Sequence, residues 1–219
     1  MNGLPESPPE DPLPDAISWL NHAKEAAVQR HANAMTLATV DGDGRPSARI
    51  VLLKYLSPTD GYATFFTHYE SRKAIEIEAT GFAAAVLHWD ALGRQIRFEG
   101  PIVRAPKTES DDYFATRPLG SQINAWVSDQ SRPLDSTESL IASAKEKART
   151  LSLEADGDET SNVTRPEFWG GYRLWFDALE FWQEGADRFH ERLRYERDLT
   201  PQDADQFDSG PWTWRRLQP

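Results

Sequence analysis

The sequence predicts a mainly β fold of the α+β class, an antiparallel barrel with helices packed on its outside. About eight segments have strand-like patterns and four or five have helical patterns, without the regular alternation of βαβ units. No internal repeat is found. We therefore expect a single domain over residues 11–219, preceded by a flexible, acidic, proline-rich leader over residues 1–10.

Periodicity and capping residues predict the helices. The first begins at Asp11-Pro12 and is expected to run to about residue 30. Its apolar side chains recur at helical spacing: Ile17, Leu20, Ala23 and Ala27. Ser71 is a candidate N-cap for a short helix that ends at Ala79.

Three further helical segments are predicted in the middle of the chain. Thr108 with Asp111 resembles a capping box. Pro118 divides that helix from a second piece, and Asp135 and Glu138 open a third. A polar loop over residues 154–166 is expected to follow.

The strands are predicted from runs of apolar, β-branched and aromatic residues that are bounded by turns. One such turn is Asp41-Gly42-Asp43-Gly44, between the first two strands. In chain order the strands are MTLATV, SARIVLLKYL, YATFFT, FAAAVLHW, RQIRFEGPIVRA, YRLWFDALEFW, RFHERLRYE and WTWRRLQ.

Composition narrows the class of protein. The formal net charge of −11 disfavours nucleic acid and anionic membrane surfaces as partners. Cysteine is absent, which excludes disulfides and thiol chemistry and is typical of a cytoplasmic protein. No apolar run is long enough to predict a membrane span. Neither a Rossmann glycine fingerprint nor a P-loop is present, and the histidines show no metal-ligand spacing.

Two clusters of cations are informative against this acidic background. Ser71-Arg72-Lys73 places a hydroxyl and two cations in a first helical turn, where free N–H groups favour an anion. In Arg188-Phe-His-Glu-Arg-Leu-Arg194, strand alternation would put the Arg and His side chains on one face, opposite an electron-rich ligand. The alternatives are a solvated basic tip in the first case and carboxylate partners in the second.

Two weaker signals also suggest ligand binding. Tyr113 and Arg117 share a helix face, with Ser121 one turn later, as would suit a phosphate monoester. Arg49-Ile-Val-Leu-Leu-Lys54 places a cation at each end of an apolar strand, although such ends can also simply extend into solvent. Trp182 precedes the basic strand and could border a flat ring.

These signals occur in order in one family. The segments RIVLLK, SRKA, RQI, Tyr…RP…SQI…AW, S-x-QS, FWGG, EFWQ, R-x-H-x-R-L-x-Y and the closing R-L-x-P resemble pyridoxamine 5′-phosphate oxidases. The similarity runs from about Asp11 to Pro219. It implies a split β-barrel homodimer that binds FMN at the subunit interface.

The resemblance also implies roles for individual residues. The phosphate of FMN would be bound by Arg49, Arg72 and Lys73, with Thr67 and Ser131 nearby. The flavin would be lined by Ile50, Val51, Leu52, Phe66, Gln95, Gln130, Trp182 and Arg192. The substrate phosphate would be held by Lys54, which the family also places at the cofactor, and by Tyr113, Arg117 and Ser121. Arg188 and His190 would lie against the pyridine ring as the catalytic pair.

The implied reaction is oxidation of pyridoxamine or pyridoxine 5′-phosphate to pyridoxal 5′-phosphate. Hydride passes from the substrate to the flavin, and O2 reoxidises the flavin with release of H2O2. No metal is implied, and the protein orients and tunes the cofactor. Two features depart from the family: the Arg- and Tyr-bearing N-terminal segment is not matched, and His31 lies near a position that is commonly Asp.

Two alternative functions stay open. The FMN oxidases of phenazine biosynthesis share the R-x-H-E-R-L-R-Y pattern and a short proline-rich leader, and act on an unphosphorylated aromatic substrate. The complete set of Lys54, Tyr113, Arg117 and Ser121 favours a phosphorylated substrate over that alternative. A non-catalytic protein that carries FMN or pyridoxal phosphate would use the same binding residues.

Overall fold

The computed structural model describes residues 3–154 and 163–219. Most of the predicted polar loop, residues 155–162, lies outside this range. The chain groups into two compact units. We call them the sheet unit, made of Met1–Phe65, Glu76–Val103 and Tyr172–Pro219, and the helical unit, made of Phe66–Ile75 and Arg104–Gly171.

Five α-helices occur within the described residues. They are α1 (Leu13–Glu25), α2 (Arg72–Thr80), α3 (Lys107–Ala115), α4 (Leu119–Val127) and α5 (Thr137–Glu154). None of them is long and apolar enough to cross a membrane.

The first helix ends earlier than predicted. Its buried residues Leu13, Ala16, Leu20 and Ala23 follow the expected spacing. Ala27, however, has a φ of 48° and lies outside the helix. A left-handed residue cannot continue an α-helix, so the predicted extension to residue 30 is wrong.

The capping box predicted for α3 is also wrong. Pro106 precedes α3 and makes no side-chain cap, so Thr108 does not form a capping box. At α5 (Thr137–Glu154), Glu138 lies in the first turn as predicted, and the hydroxyl of Ser136 accepts the backbone N–H of Ser139 at 3.0 Å.

Twelve strands are found among the described residues. They are β1 (Ala34–Val40), β2 (Pro46–Leu52), β3 (Tyr55–Leu56), β4 (Tyr62–His68), β5 (Phe82–Trp89), β6 (Arg94–Arg104), β7 (Trp169–Trp175), β8 (Ala178–Gln183), β9 (Glu191–Glu196), β10 (Leu199–Pro201), β11 (Phe207–Ser209) and β12 (Thr213–Leu217). The count exceeds the predicted eight because the segment YRLWFDALEFW divides after Trp175, and because three strands are very short.

Seven strands form an antiparallel path in the order β12-β9-β8-β6-β5-β1-β2. One face of this path is the apolar core and bears Leu37, Leu87, Ile96, Phe181 and Leu193, all essentially buried. On the opposite face, directly paired residues align in rows across the strands. This second face is largely polar and accessible, and it carries several of the predicted site residues.

Aromatic residues make up much of the helical unit's core. Phe114, Ala125, Val163 and Trp169 are buried together. Phe66, Tyr113, Trp126 and Phe168 pack around them while partly exposed. The core of this unit is therefore built largely from aromatic rings, several of them stacked on one another.

Candidate active site

The predicted site residues divide between the two units. The sheet unit carries Arg49, Ile50, Val51, Leu52, Lys54, Gln95, Trp182, Arg188, His190 and Arg192. The helical unit carries Phe66, Thr67, Arg72, Lys73, Tyr113, Arg117, Ser121, Gln130 and Ser131.

Lys73 is the centre of a polar pocket in the helical unit. Its side chain is buried, and Nζ donates hydrogen bonds to Thr67 Oγ1 at 3.0 Å, Ser71 Oγ at 3.1 Å and Gln130 Oε1 at 2.9 Å. Ser131, with a φ of 73°, follows Gln130 in a tight turn. Three predicted cofactor ligands thus meet at the first turn of α2, and this combination of ammonium, hydroxyls and helix N-terminus favours an anion.

A cleft of about 190 Å³ lies beside this pocket, lined by His68, Glu70, Asp129, Gln130 and Arg132. His68 Nδ1 accepts the backbone N–H of Glu70 at 3.1 Å, and its ring stacks on Phe168 at 4.6 Å. Burial lowers the pKa of His68 below its ordinary value of 6.5. Burial and this hydrogen bond both favour the neutral imidazole, with Nδ1 as the acceptor.

Tyr113 and Arg117 lie on a stack of aromatic rings in the helical unit. The rings of Phe66 and Tyr113 are parallel and 4.0 Å apart, and the Arg117 guanidinium lies 4.4 Å from the Trp169 ring. Arg117 Nη1 is buried and has no hydrogen-bond partner among the described residues. Burial lowers the pKa of Arg117, but an arginine stays charged at neutral pH. A buried donor of this kind is costly unless an anion satisfies it.

Arg49 lies in a compact polar cluster of the sheet unit. Its Nη2 donates to Glu76 Oε2 at 3.0 Å and to Ser47 Oγ at 2.5 Å, and Nη1 donates to Thr39 Oγ1 at 2.5 Å. Glu76 is 3% exposed and also accepts from both hydroxyls. The guanidinium is thereby fixed at the edge strand β2, where the neighbouring Ile50 is 63% exposed.

Lys54 follows β2 and is exposed beside helix α1. It lines a cleft of about 220 Å³ with Asn21, Lys24 and Tyr55. Its backbone N–H donates to Thr64 O at 2.8 Å. This hydrogen bond fixes the backbone at Lys54, while its side chain is exposed.

Gln95, Trp182 and Arg192 form one cross-strand row of the sheet unit. Gln95 on β6 is paired with Trp182 on β8, and Trp182 is paired with Arg192 on β9. Directly opposed residues of antiparallel strands share a face. Three predicted flavin neighbours are therefore adjacent on the accessible side of the sheet.

The predicted basic strand face is partly wrong. β9 begins at Glu191, and Arg188 lies in a 3₁₀ turn, Ala186–Arg188, where it has a φ of 66°. Only Arg192 and Arg194 alternate as expected. The turn needs left-handed residues, which interrupt a strand.

Carboxylates face the two arginines that do lie on β9. Arg192 Nε donates to Glu180 at 2.8 Å, and Arg194 donates to Glu99 at 2.9 Å and Glu196 at 2.8 Å. These contacts raise the pKa of Arg194 and lower that of Glu99. Both arginines therefore have carboxylate partners, as the alternative interpretation expected, while a role of Arg192 at the flavin stays a prediction.

His190 nevertheless lies close to the predicted flavin row. Its ring centroid is 4.7 Å from that of Trp182, and Nδ1 accepts the N–H of Gly185 at 3.3 Å. Gly185 is required there because a Cβ would overlap the carbonyl oxygen of Phe189. The tight turn thus presents Arg188 to solvent and His190 beside Trp182.

Comparison with known proteins identifies the family. Residues 22–151 match the family model of pyridoxamine 5′-phosphate oxidase, and residues 169–219 match the pyridoxine 5′-phosphate oxidase C-terminal dimerisation region. The chain belongs to the pyridoxamine 5′-phosphate oxidase family. This membership confirms the predicted α+β fold class and the predicted enzyme class, an FMN-dependent oxidoreductase.

Individual relatives of this oxidase family are similar over most of their length. The pyridoxine/pyridoxamine 5′-phosphate oxidase of Paracoccus denitrificans is 48% identical over 85% of this chain and 81% of its own. That of Burkholderia orbicola is 46% identical over 95% of this chain and 89% of its own.

One solved structure is similar to this chain over nearly its whole length and supports the alternative, phenazine-type function. PhzG from Burkholderia lata, in complex with tetrahydrophenazine-1-carboxylic acid, superposes with a TM-score of 0.82 at 33% identity, over 98% of this chain and 95% of that one. An FMN binding protein related to pyridoxamine 5′-phosphate oxidase, from Nostoc punctiforme, shares the fold with a TM-score of 0.67 at 14% identity.

Sequence reasoning missed three residues that shape this oxidase site. Glu76 and Glu180 hold Arg49 and Arg192, and Trp169 supports Arg117. A charged residue in the otherwise apolar segment ALEFW signals Glu180, and the FWGG motif contains Trp169. Glu76 has no such signal, because a glutamate on a short helix is ordinarily solvated.

Proposed function

We propose that this protein oxidises pyridoxamine or pyridoxine 5′-phosphate to pyridoxal 5′-phosphate, using FMN and O2 and releasing H2O2. The observation that carries the proposal is Arg117, whose buried Nη1 has no partner in the described part of the chain. A substrate phosphate would satisfy this donor. Tyr113, Ser121 and Lys54 are assigned to the same phosphate, and the substrate of the curated relatives is of this kind.

The donor set of the chain fits FMN. The buried ammonium of Lys73, the hydroxyl of Thr67 and the start of α2 suit a terminal phosphate, and Arg72, Arg49 and Ser131 are assigned to it as well. The accessible row of Gln95, Trp182 and Arg192 suits a flat heterocycle. Ile50, Val51, Leu52, Phe66 and Gln130 complete the assignment. When bound, FMN supplies the hydride acceptor.

The residues of the chain orient the substrate. A phosphate held at Arg117 fixes one end, and His190 and Arg188 are assigned to the pyridine ring. His190 Nδ1 is occupied by the N–H of Gly185, so its Nε2 is left to carry the proton and donate to the ring. Holding the reacting carbon in place is an effect of orientation, which can contribute several orders of magnitude in rate.

We also propose a cytoplasmic homodimer with FMN at the subunit interface. Support comes from residues 169–219, which match the family's dimerisation region and include β8, β9 and β12. These strands expose one polar face, and Phe189 beside them is 76% exposed. Phe189 lies within the matched dimerisation region, and a partner subunit would cover it in the proposed homodimer.

The second candidate is a phenazine-type oxidase, favoured by the superposition on PhzG. The donor of Arg117 does not by itself separate the two candidates, because the carboxylate of a phenazine carboxylic acid would also accept a hydrogen bond from it. The assigned set of Lys54, Tyr113, Arg117 and Ser121 favours the phosphorylated substrate.

A single anaerobic experiment separates the candidates. The purified protein, loaded with FMN, is mixed under nitrogen with pyridoxamine 5′-phosphate or with tetrahydrophenazine-1-carboxylic acid. We expect the flavin absorbance to bleach with the first compound. Bleaching only with the second would establish the phenazine-type activity, and bleaching with neither would indicate a carrier protein.

A further inference from the structure

Glu180 is a buried carboxylate on the accessible face of the sheet unit. It is 2% exposed, whereas the arginines around it are between 18% and 35% exposed. Its shortest contact is with Arg192 Nε at 2.8 Å, and Arg97 Nη1 and Arg194 Nη1 lie at 3.4 and 3.8 Å. A buried carboxylate is tolerated only when nearby cations compensate its charge, so these arginine contacts define where Glu180 lies.

The contacts of Arg192 fix the plane of its guanidinium. Nε is held by Glu180, and Nη1 donates to the backbone carbonyl of Gln218 at 3.1 Å. Nη2 makes no hydrogen bond to any part of the chain that the structure describes. Because the guanidinium is planar, fixing two of its nitrogens also fixes the direction in which Nη2 points. Arg192 is paired with Trp182 in the row of predicted flavin neighbours.

We propose that Glu180 is a positioning residue that acts through Arg192 on the flavin. This inference rests on the proposed function, in which Arg192 faces the flavin ring. The carboxylate holds the guanidinium ready, so that less conformational entropy is lost when FMN binds. The same fixed donor stabilises negative charge that develops on the ring during reduction.

A double-mutant cycle tests the proposal. Glu180→Gln replaces a charged hydrogen bond with a weaker neutral one, and we expect the Kd for FMN to rise about five- to tenfold and the anaerobic rate of flavin reduction to fall. In an Arg192→Ala background, the same substitution is expected to change neither quantity, because the residue through which Glu180 acts is gone. Equal effects in both backgrounds would overturn the proposal.

Glu99→Gln is the matched control. Glu99 lies on the same face and contacts Arg97 and Arg194 but not Arg192. We expect Glu99→Gln to leave FMN affinity and the rate of flavin reduction unchanged. An effect as large as that of Glu180→Gln would overturn the proposal, because it would show a general effect of charge and not one that acts through Arg192.

If Arg192→Ala does not fold, Arg192→Met completes the cycle, since it keeps an unbranched apolar side chain but removes the cation that Glu180 holds. With this background too, an undiminished effect of Glu180→Gln would overturn the proposal. Failure of the proposed function is distinguishable, because the wild-type protein would then not bind FMN or would not be bleached by pyridoxamine 5′-phosphate.

Discussion

Arg117 and Lys73 are two cations of the helical unit that we assign to different phosphates. Arg117→Ala is expected to raise the KM for pyridoxine 5′-phosphate about ten- to a hundredfold, as for loss of a charged hydrogen bond, and to leave FMN affinity intact. Lys73→Ala is expected to weaken FMN binding and to affect the substrate only through lost cofactor. Titrations of both ligands on both variants check this. An Arg117→Ala protein that loses FMN and keeps its KM would contradict the assignment.

His68 provides a prediction about pH. Burial lowers its native pKa, so the unfolded chain takes up a proton at about pH 6.5 while the native imidazole stays neutral. Its contribution to stability is present above that pH and is lost as the pH falls towards the native pKa. We expect the unfolding free energy of the wild type, relative to that of His68→Gln, to decrease when the pH is lowered from about 7.5 to about 5.5. Urea titrations at both pH values measure it, and a constant difference would refute the prediction.

The turn between β8 and β9 is the element on which, in the proposed function, substrate orientation depends. Gly185→Ala is expected to destabilise the protein by about 1–3 kcal/mol and to lower kcat/KM, because the new Cβ would overlap Phe189 O and displace His190. Gly42→Ala is the control, since nothing lies within 4 Å of its Cβ. Thermal melting and steady-state rates report on the two effects. Equal behaviour of the two variants would show that the turn can relax.

At the scale of the whole molecule, cofactor and dimer are expected to stabilise the fold together. A ligand that binds only the native state adds about 2.7 kcal/mol at 100 times its Kd, so the FMN-loaded protein should melt higher than the stripped protein. Light scattering after size exclusion should give twice the 24.8 kDa chain mass. A monomer with full FMN occupancy would contradict an interface site for the cofactor.

The amino-acid sequence by itself determined the fold class and most elements. Apolar spacing placed the buried side of α1 and the strands β1, β5 and β6, because burial follows the local periods of helix and strand. The order of short motifs was enough to indicate the family. The cation cluster at Lys73 could also be predicted from the sequence, because Ser71 and the start of the helix are close to it along the chain.

Only the tertiary structure decided how the cations are satisfied. Arg192 and Glu180 are twelve residues apart, and Arg49 and Glu76 are twenty-seven apart, so no local pattern reports their ion pairs. The left-handed turn that takes Arg188 off the strand was equally hidden, since arginine has no preference for positive φ and the preference of aspartate is far weaker than that of glycine. Periodicity records which face a residue occupies, whereas pairing across strands and the conformation of a turn depend on contacts between distant parts of the chain.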